Sequence, residues 1–272
     1  AGSTTGTVNF TPTDDSVYEG NETAILAISG VTGGSATESG SQSKTITITD
    51  NESAPTVTLA TSATSIAENA GSSLTITATL STATTADVTV TIGTAGTATE
   101  GTDYTDGSGN LDDITISAGS TTGTVSFTPT DDASDPVYEE NETAVISIDG
   151  VSGGSASESG SQSVTITITE NESAPTVTLA RSAASIAENS GSTVTLTATL
   201  SIKVDEAVTV ALSTSGAATE GTDYGTISDI TVSAGATTGT ATFDPTDDSV
   251  YEDDEAATIA IDSVSGGGAS ES

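Results

Sequence analysis

Apolar residues alternate with Thr, Ser or Ala along most of this chain. Between residues 54 and 173 the alternation falls into seven runs: "TVTLA" (56–60), "LTITATL" (74–80), "VTVTI" (88–92), "ITIS" (114–117), "GTVSFTP" (123–129), "TAVISI" (143–148) and "VTITIT" (164–169). A period of two marks strands with one buried face, because successive side chains of a strand point to opposite sides. Thr suits the outward face, being both β-branched and polar. Clusters of Gly, Ser and Asp separate the runs, and none shows helical spacing. Seven short strands in one such segment predict an all-β fold, an antiparallel seven-stranded β-sandwich of the Ig-like type.

The pattern is repeated. "SAPTVTLATSATSIAENAG" at residue 53 returns as "SAPTVTLARSAASIAENSG" at 173. "AGSTTGTVNFTPTDD" at residue 1 returns near-identically at 118, and "AGATTGTATFDPTDD" stands at 234. A period of 120 residues is too long for a solenoid unit and suits whole domains in tandem. Cutting at the Ala-Pro dipeptides gives residues 1–53 as the C-terminal part of one module (its last three strands), 54–173 as a complete module, and 174–272 as a module without its last strand. Seven is odd, so a module's first strand enters at one end and its last leaves at the other. The modules are therefore expected to stack end to end. Pro55 and Pro175 in the short Gly-free linkers favour an extended conformation before them.

Charge narrows the functional classes. There are 39 acids and three bases (Lys44, Arg181 and Lys203), for a formal charge of −36. Such a surface repels nucleic acid and anionic lipid and attracts cations. The chain has no Cys, His, Met or Trp. That excludes thiolate and imidazole metal sites and nucleophilic triads built on His. No apolar run reaches the roughly 18 residues of a membrane helix, so direct membrane insertion is not expected.

Alternating strand direction places the loops after the first, third, fifth and seventh strands at one end. In the complete module these loops carry Glu68; Glu100 and Asp103; Asp131, Asp132, Asp135, Glu139, Glu140 and Glu142; and Glu170 and Glu172. The opposite loops are poorer in acid. Loop acids can simply keep a surface solvated, but gathered carboxylates repel one another, by roughly 4 kcal/mol for a pair ~4 Å apart at an effective dielectric near 20. Three bases cannot offset this. Bound cations can, and carboxylates with an Asn carbonyl form a hard-oxygen set that suits Ca²⁺ before Mg²⁺.

"SIAENAG", "GTATEGTDY", "ISAGSTTGTVSFTPTDD", "VYEENET" and "TITITENE" together resemble the Calx-β domain, a β-sandwich module of sodium–calcium exchangers that recurs in large bacterial surface proteins. The resemblance covers the chain in three copies. It implies Ca²⁺ ligands at Glu68, Asp103, Asp131, Asp132, Glu139, Glu170 and Glu172 in the complete module. By position it implies Asp14, Asp15, Glu19, Asp50 and Glu52 in the first, and Glu188, Asp223, Asp247, Asp248 and Glu252 in the third. One departure is that Asn51 and Asn171 stand where the family's terminal acidic run has another acid. The tyrosines beside the acid groups (Tyr18, Tyr138 and Tyr251) read as core or loop anchors, and the Asn-Glu-Thr and Asn-Glu-Ser sequons as chance matches.

The leading expectation is the repeat region of a long extracellular, cell-surface filament or adhesin, stiffened by Ca²⁺ at its joints and acting in cell adhesion or biofilm. Its partners are the neighbouring modules, other copies, or a cell-surface ligand. A calcium-regulated ligand-binding module is the alternative. A glycosidase using paired carboxylates fits less well, because the acids recur in every module whereas an active site normally occurs once.

Overall fold

The computed structural model describes residues 2–251 and 253–272. They form two compact units: 1–64, 72–128 and 144–166 in the first, and 65–71, 129–143 and 167–272 in the second. Strands dominate both, and no α-helix occurs among the described residues.

Each of the seven runs between residues 54 and 173 is a strand, whereas in residues 1–53 only two of the three expected strands form, and the run "GTVNFTP" (6–12) is exposed without a strand partner among the described residues. Leu74–Leu80 has the bounds read from the sequence, and Ile76, Ala78 and Leu80 are buried while the threonines between them are not. The other strands of the complete module are longer than or close to the reading: Thr56–Thr61, Val88–Gly96, Ile114–Ile116, Thr122–Pro129, Glu142–Ser152 and Ser163–Thr169.

In the first unit, Leu74–Leu80 lies between Thr56–Thr61 and Thr122–Pro129, antiparallel to both. Val88–Gly96 lies antiparallel between Ile114–Ile116 and Glu142–Ser152. The chain thus crosses from one sheet to the other after the second, fourth and fifth of the seven main strands. Val57, Ile76 and Phe127 of one sheet and Val88, Ile114 and Ile146 of the other are fully buried. Phe127 also stacks on Tyr104, ring centroids 4.6 Å apart. Of the first module, Glu22–Ala27 and Ser43–Ile48 form an antiparallel pair.

The second unit repeats this plan with residues 174–272. Val194–Leu200 pairs with Thr176–Arg181 and Thr238–Phe243, and Val208–Gly216 pairs with Ile230–Val232 and Ala257–Ser265. Val177, Leu196, Leu200, Val208, Val210, Ile230 and Val232 form its core. Tyr224 stacks on Phe243 at 4.7 Å.

Short parallel pairs add to these ladders. Ser157–Glu158 runs parallel to the start of Thr56–Thr61, and Ser270–Glu271 parallel to the start of Thr176–Arg181. Residues 65–67, placed in a loop by the sequence reading, form the strand Ser65–Ala67, which is parallel to Thr167–Thr169. Two further parallel pairs join one repeat to the next. Val17–Tyr18 pairs with Ala83–Thr84 in the first unit, and Val137–Tyr138 pairs with Lys203–Val204 in the second.

One glycine in each complete sheet pair is dictated by a close approach. A Cβ on Gly123 would lie 2.5 Å from the Thr115 carbonyl oxygen, and one on Gly239 would lie 2.4 Å from that of Thr231. These are equivalent places, where a strand of one sheet crosses the backbone edge of the other. Gly123→Ala and Gly239→Ala should each cost about 1–3 kcal/mol in denaturant unfolding, since a backbone must move to admit the methyl. Gly109→Ala, where no atom lies within 4 Å of the added carbon, should change stability little. Equal effects at all three positions would contradict the close approach.

Candidate cation site

The acidic end of the complete module lies in the second unit. It is organised by Glu170, the first residue after Ser163–Thr169. One carboxylate oxygen accepts the Glu139 amide at 2.6 Å, and the other accepts the Asn171 and Glu172 amides at 2.7 Å. The Glu170 amide donates to the Asn141 side-chain oxygen at 2.9 Å. Burial works against the charge of Glu170, yet these amides hold its carboxyl below the usual range.

Glu68 faces this group. The strand Ser65–Ala67 delivers it, and the Glu68 amide donates to the Thr169 carbonyl. Glu68 is only 7% exposed, the one buried acid among the described residues. Burial, and then the charges of Glu170, Glu172 and Asp132, push its carboxyl up to about 8. Oxygens of Glu68, Glu170 and Glu172 all lie within 4.8 Å of one another, and so do oxygens of Glu68, Asp131 and Asp132. Burial and a hydrogen bond to Glu170 likewise raise Glu172.

Asp132 carries the sharpest signal. One of its oxygens accepts the Val137 amide, while the other, Oδ1, is buried with no hydrogen-bond partner. A buried carboxylate oxygen without a donor is costly. It borders a cluster whose other available groups are acids. Every atom offered is a hard oxygen, the donor set that divalent Ca²⁺ takes. Asp131, Asp132, Glu68, Glu170 and Glu172 therefore fit such an ion, with Glu139 bound in through its amide.

The first module repeats the arrangement. Asp50 accepts the Glu19 and Gly20 amides at 2.8 and 2.6 Å and the Glu52 amide at 3.1 Å, and its own amide donates to Asn21. Asp15 accepts the Val17 amide at 2.8 Å. Asp14, Asp15, Glu19, Asp50 and Glu52 line one cleft. In the third module Asp248 accepts the Val250 amide at 2.6 Å, beside the exposed Asp247. Glu188, the counterpart of Glu68, is exposed within a 3₁₀ turn, Glu188–Ser190. Glu252 lies outside the described residues. Asp103 and Asp223 each accept the amide four residues back, from Thr99 and Thr219, so both brace their own turns. Of the tyrosines, Tyr138 packs on the core of the third module, whereas Tyr251 is exposed and donates to Asp253.

Asn171 has a role that sequence reasoning missed. Its side-chain amide donates to Glu68 at 3.1 Å and to Glu172 at 2.6 Å. In place of another acid it supplies the cluster's side-chain donor. Asn141 and Asn21, set aside as sequon matches, are braces for Glu170 and Asp50. The recurrence of Asn at the same places in the first two repeats was the available signal. Also missed was the ion pair from Lys203 to Asp135, at 2.6 Å. Asp135 sits in "ASDP" (133–136), where the first module has only Ser16.

The Calx-beta domain family matches residues 1–52 and 50–172, and the LapA domain family matches residues 173–272. Among solved structures, the crystal structure of CBD12 from CALX1.2 is 21% identical, with 72% of this chain and 76% of that chain covered and a TM-score of 0.34. The crystal structure of calcium binding domain CBD12 of CALX1.1 is 19% identical, with 74% and 77% covered and a TM-score of 0.34. No curated protein sequence matches the chain.

The raised carboxyl of Glu68 fixes a pH dependence. Between its ordinary value near 4.5 and about 8, the folded state keeps a proton that the unfolded chain has lost. Stability must therefore fall as pH rises through that window. The raised Glu172 adds to the fall, and the lowered Glu170 acts mainly at lower pH. In chelator, the melting temperature should be higher at pH 5.5 than at pH 8, and Glu68→Gln should flatten the profile and raise its alkaline end. A wild-type profile that rises toward pH 8 in chelator would contradict the buried, charge-crowded placement of Glu68.

Proposed function

We propose that this chain, which belongs to the Calx-beta domain family, is a tandem structural spacer of an extracellular adhesin or filament, with Ca²⁺ held at the acidic ends of its modules. The observation that carries the reading is the group around Asp132. Its unpartnered oxygen, the buried Glu68 and the pair Glu170 and Glu172 converge in one place. The LapA match over 173–272 supports the adhesin context. The recurrence of the acids in each repeat suits a structural role better than a catalytic one.

When bound, the ion would supply positive charge that the protein's three bases cannot. Glu68, Asp131, Asp132, Glu170 and Glu172 would hold it. The protein's own contribution is to fix those oxygens. Glu170 is set by three backbone amides, and Asp132 by the amide of Val137. The same bonds bracket Val137–Tyr138, the short strand that pairs with Lys203–Val204. Cation site and joint therefore share one loop. In the first module Asp15 and Asp50 bracket Val17–Tyr18 in the same way. Charge neutralised at the cluster would then firm the contact between successive modules, and a row of such contacts would make a stiff spacer projecting from a cell.

Calorimetric titration of the full chain with Ca²⁺ tests this reading. Uptake should occur with an affinity on the order of 10⁻⁴–10⁻³ M or tighter, as in extracellular modules. At 100 times the dissociation constant, binding to the folded state alone should add about 2.7 kcal/mol to stability. Glu170→Gln with Glu172→Gln should weaken uptake at the middle site and leave the fold intact. No uptake at millimolar Ca²⁺, together with identical melting in Ca²⁺ and chelator, would end the reading.

A further inference from the structure

The seven residues Thr-Asp-Asp-Ser-Val-Tyr-Glu at 13–19 recur without change at 246–252. The first copy is docked. Its Val17–Tyr18 pairs in parallel with Ala83–Thr84 of the next module, and the Thr82 hydroxyl donates to the Ser16 carbonyl at 3.1 Å. The related segment of the middle module is docked as well, Val137–Tyr138 on Lys203–Val204. There Tyr138 packs against the core of the third module, so close to Gly268 that a Cβ on that glycine would lie 2.7 Å from the ring.

The third copy has the same local turn, but among the described residues no strand pairs with it. Asp248 accepts the Val250 amide just as Asp15 accepts that of Val17. Yet Val250 is 59% and Tyr251 90% exposed, whereas Val17 and Tyr18 are half-buried. An exposed Val-Tyr pair is otherwise out of place among such acidic loops.

We propose that Val250–Tyr251 is a docking strand for a further module of this same family, received on the turn between that module's second and third strands. The receiving turn is of the Ser81–Thr84 kind. The seven residues that dock there in the first unit are the same seven, and the turn "STATTA" (81–86) carries no charge to oppose Asp247, Asp248, Asp253 and Asp254. The Lys203 kind of turn is matched instead to Asp135, which lies in an insertion the third copy lacks. Like charges across an interface would exclude an acidic turn. This inference rests on reading the chain as tandem modules, but not on a bound cation.

The test continues the full chain after Ser272 with a second copy of its own residues 40–173, which keeps the repeat in register because "ES" precedes both points. The chain has no cysteine, so engineered pairs report cleanly. Val250→Cys is combined with Ala83→Cys in the appended copy and treated with a short thiol cross-linker. Val17→Cys with Ala83→Cys in the original copy is the positive control, since those two residues are register partners. Val250→Cys with Ser108→Cys in the appended copy is the negative control. The expected yield at Val250 matches the positive control, and the Val250 and Tyr251 amides of the cysteine-free extended chain exchange more slowly than those of the 272-residue chain. A yield no higher than the negative control, with unchanged exchange, overturns the proposal. Both arms are run in Ca²⁺ and in chelator. A cross-link in both supports docking even if calorimetry finds no Ca²⁺ uptake, and one confined to Ca²⁺ supports docking coupled to the ion.

Discussion

Mutual repulsion of carboxylates that the fold itself gathers is the constraint on which this structure turns. Glu68, Asp131, Asp132, Glu170 and Glu172 meet at one end of the middle module. Two charges ~4 Å apart in such surroundings repel by roughly 4 kcal/mol. The chain has three bases, and the one near this loop, Lys203, is paired with Asp135. What the protein supplies internally is backbone amides and one Asn side chain. Those partners satisfy Glu170 almost fully. They leave Glu68 raised toward neutrality and one Asp132 oxygen without a donor. The cluster is thus incomplete in a way that a divalent cation would complete.

The loop that bears the cluster also bears the joint. Val137–Tyr138 pairs with Lys203–Val204 from within residues 132–139. The shape of that loop is braced by two amide-to-carboxylate bonds, from Val137 to Asp132 and from Glu139 to Glu170. Tyr138 then adds apolar contact to the core of the next module, with Gly268 leaving room for the ring. The ion pair across the same contact is exposed on its Asp135 side, and pairs of that kind add on the order of 0–1 kcal/mol. Its effect is on which loop suits which turn more than on strength.

Much of the fold was legible because alternation over six or more residues leaves little ambiguity. Leu74–Leu80 could be read to the residue. Ser65–Ala67 could not, since three residues carry no period and their pairing with Thr167–Thr169 is a contact across about 100 positions. Val137–Tyr138 is shorter still, and its partner belongs to another repeat. The acid group was legible by loop parity, which correctly brought Glu68, Asp131, Asp132, Glu170 and Glu172 to one end. Parity could not show that Asp103 also braces its own turn through Thr99. Nor could it show that Asn171 and Asn141 are donor and acceptor inside the network, because an Asn-Glu-Thr triplet looks alike whether it caps a carboxylate or does nothing.

The central claim is that cation site and module joint are one device, and amide hydrogen exchange at residues 137 and 139 tests it most directly. Their amides are held by Asp132 and Glu170. If filling the cluster fixes the docking strand, both amides should exchange more slowly in Ca²⁺ than in chelator. Core amides of Leu74–Leu80 should change far less. Equal exchange at 137 and 139 in the two conditions, under Ca²⁺ concentrations at which calorimetry shows the site filled, would separate the ion from the joint and contradict the account.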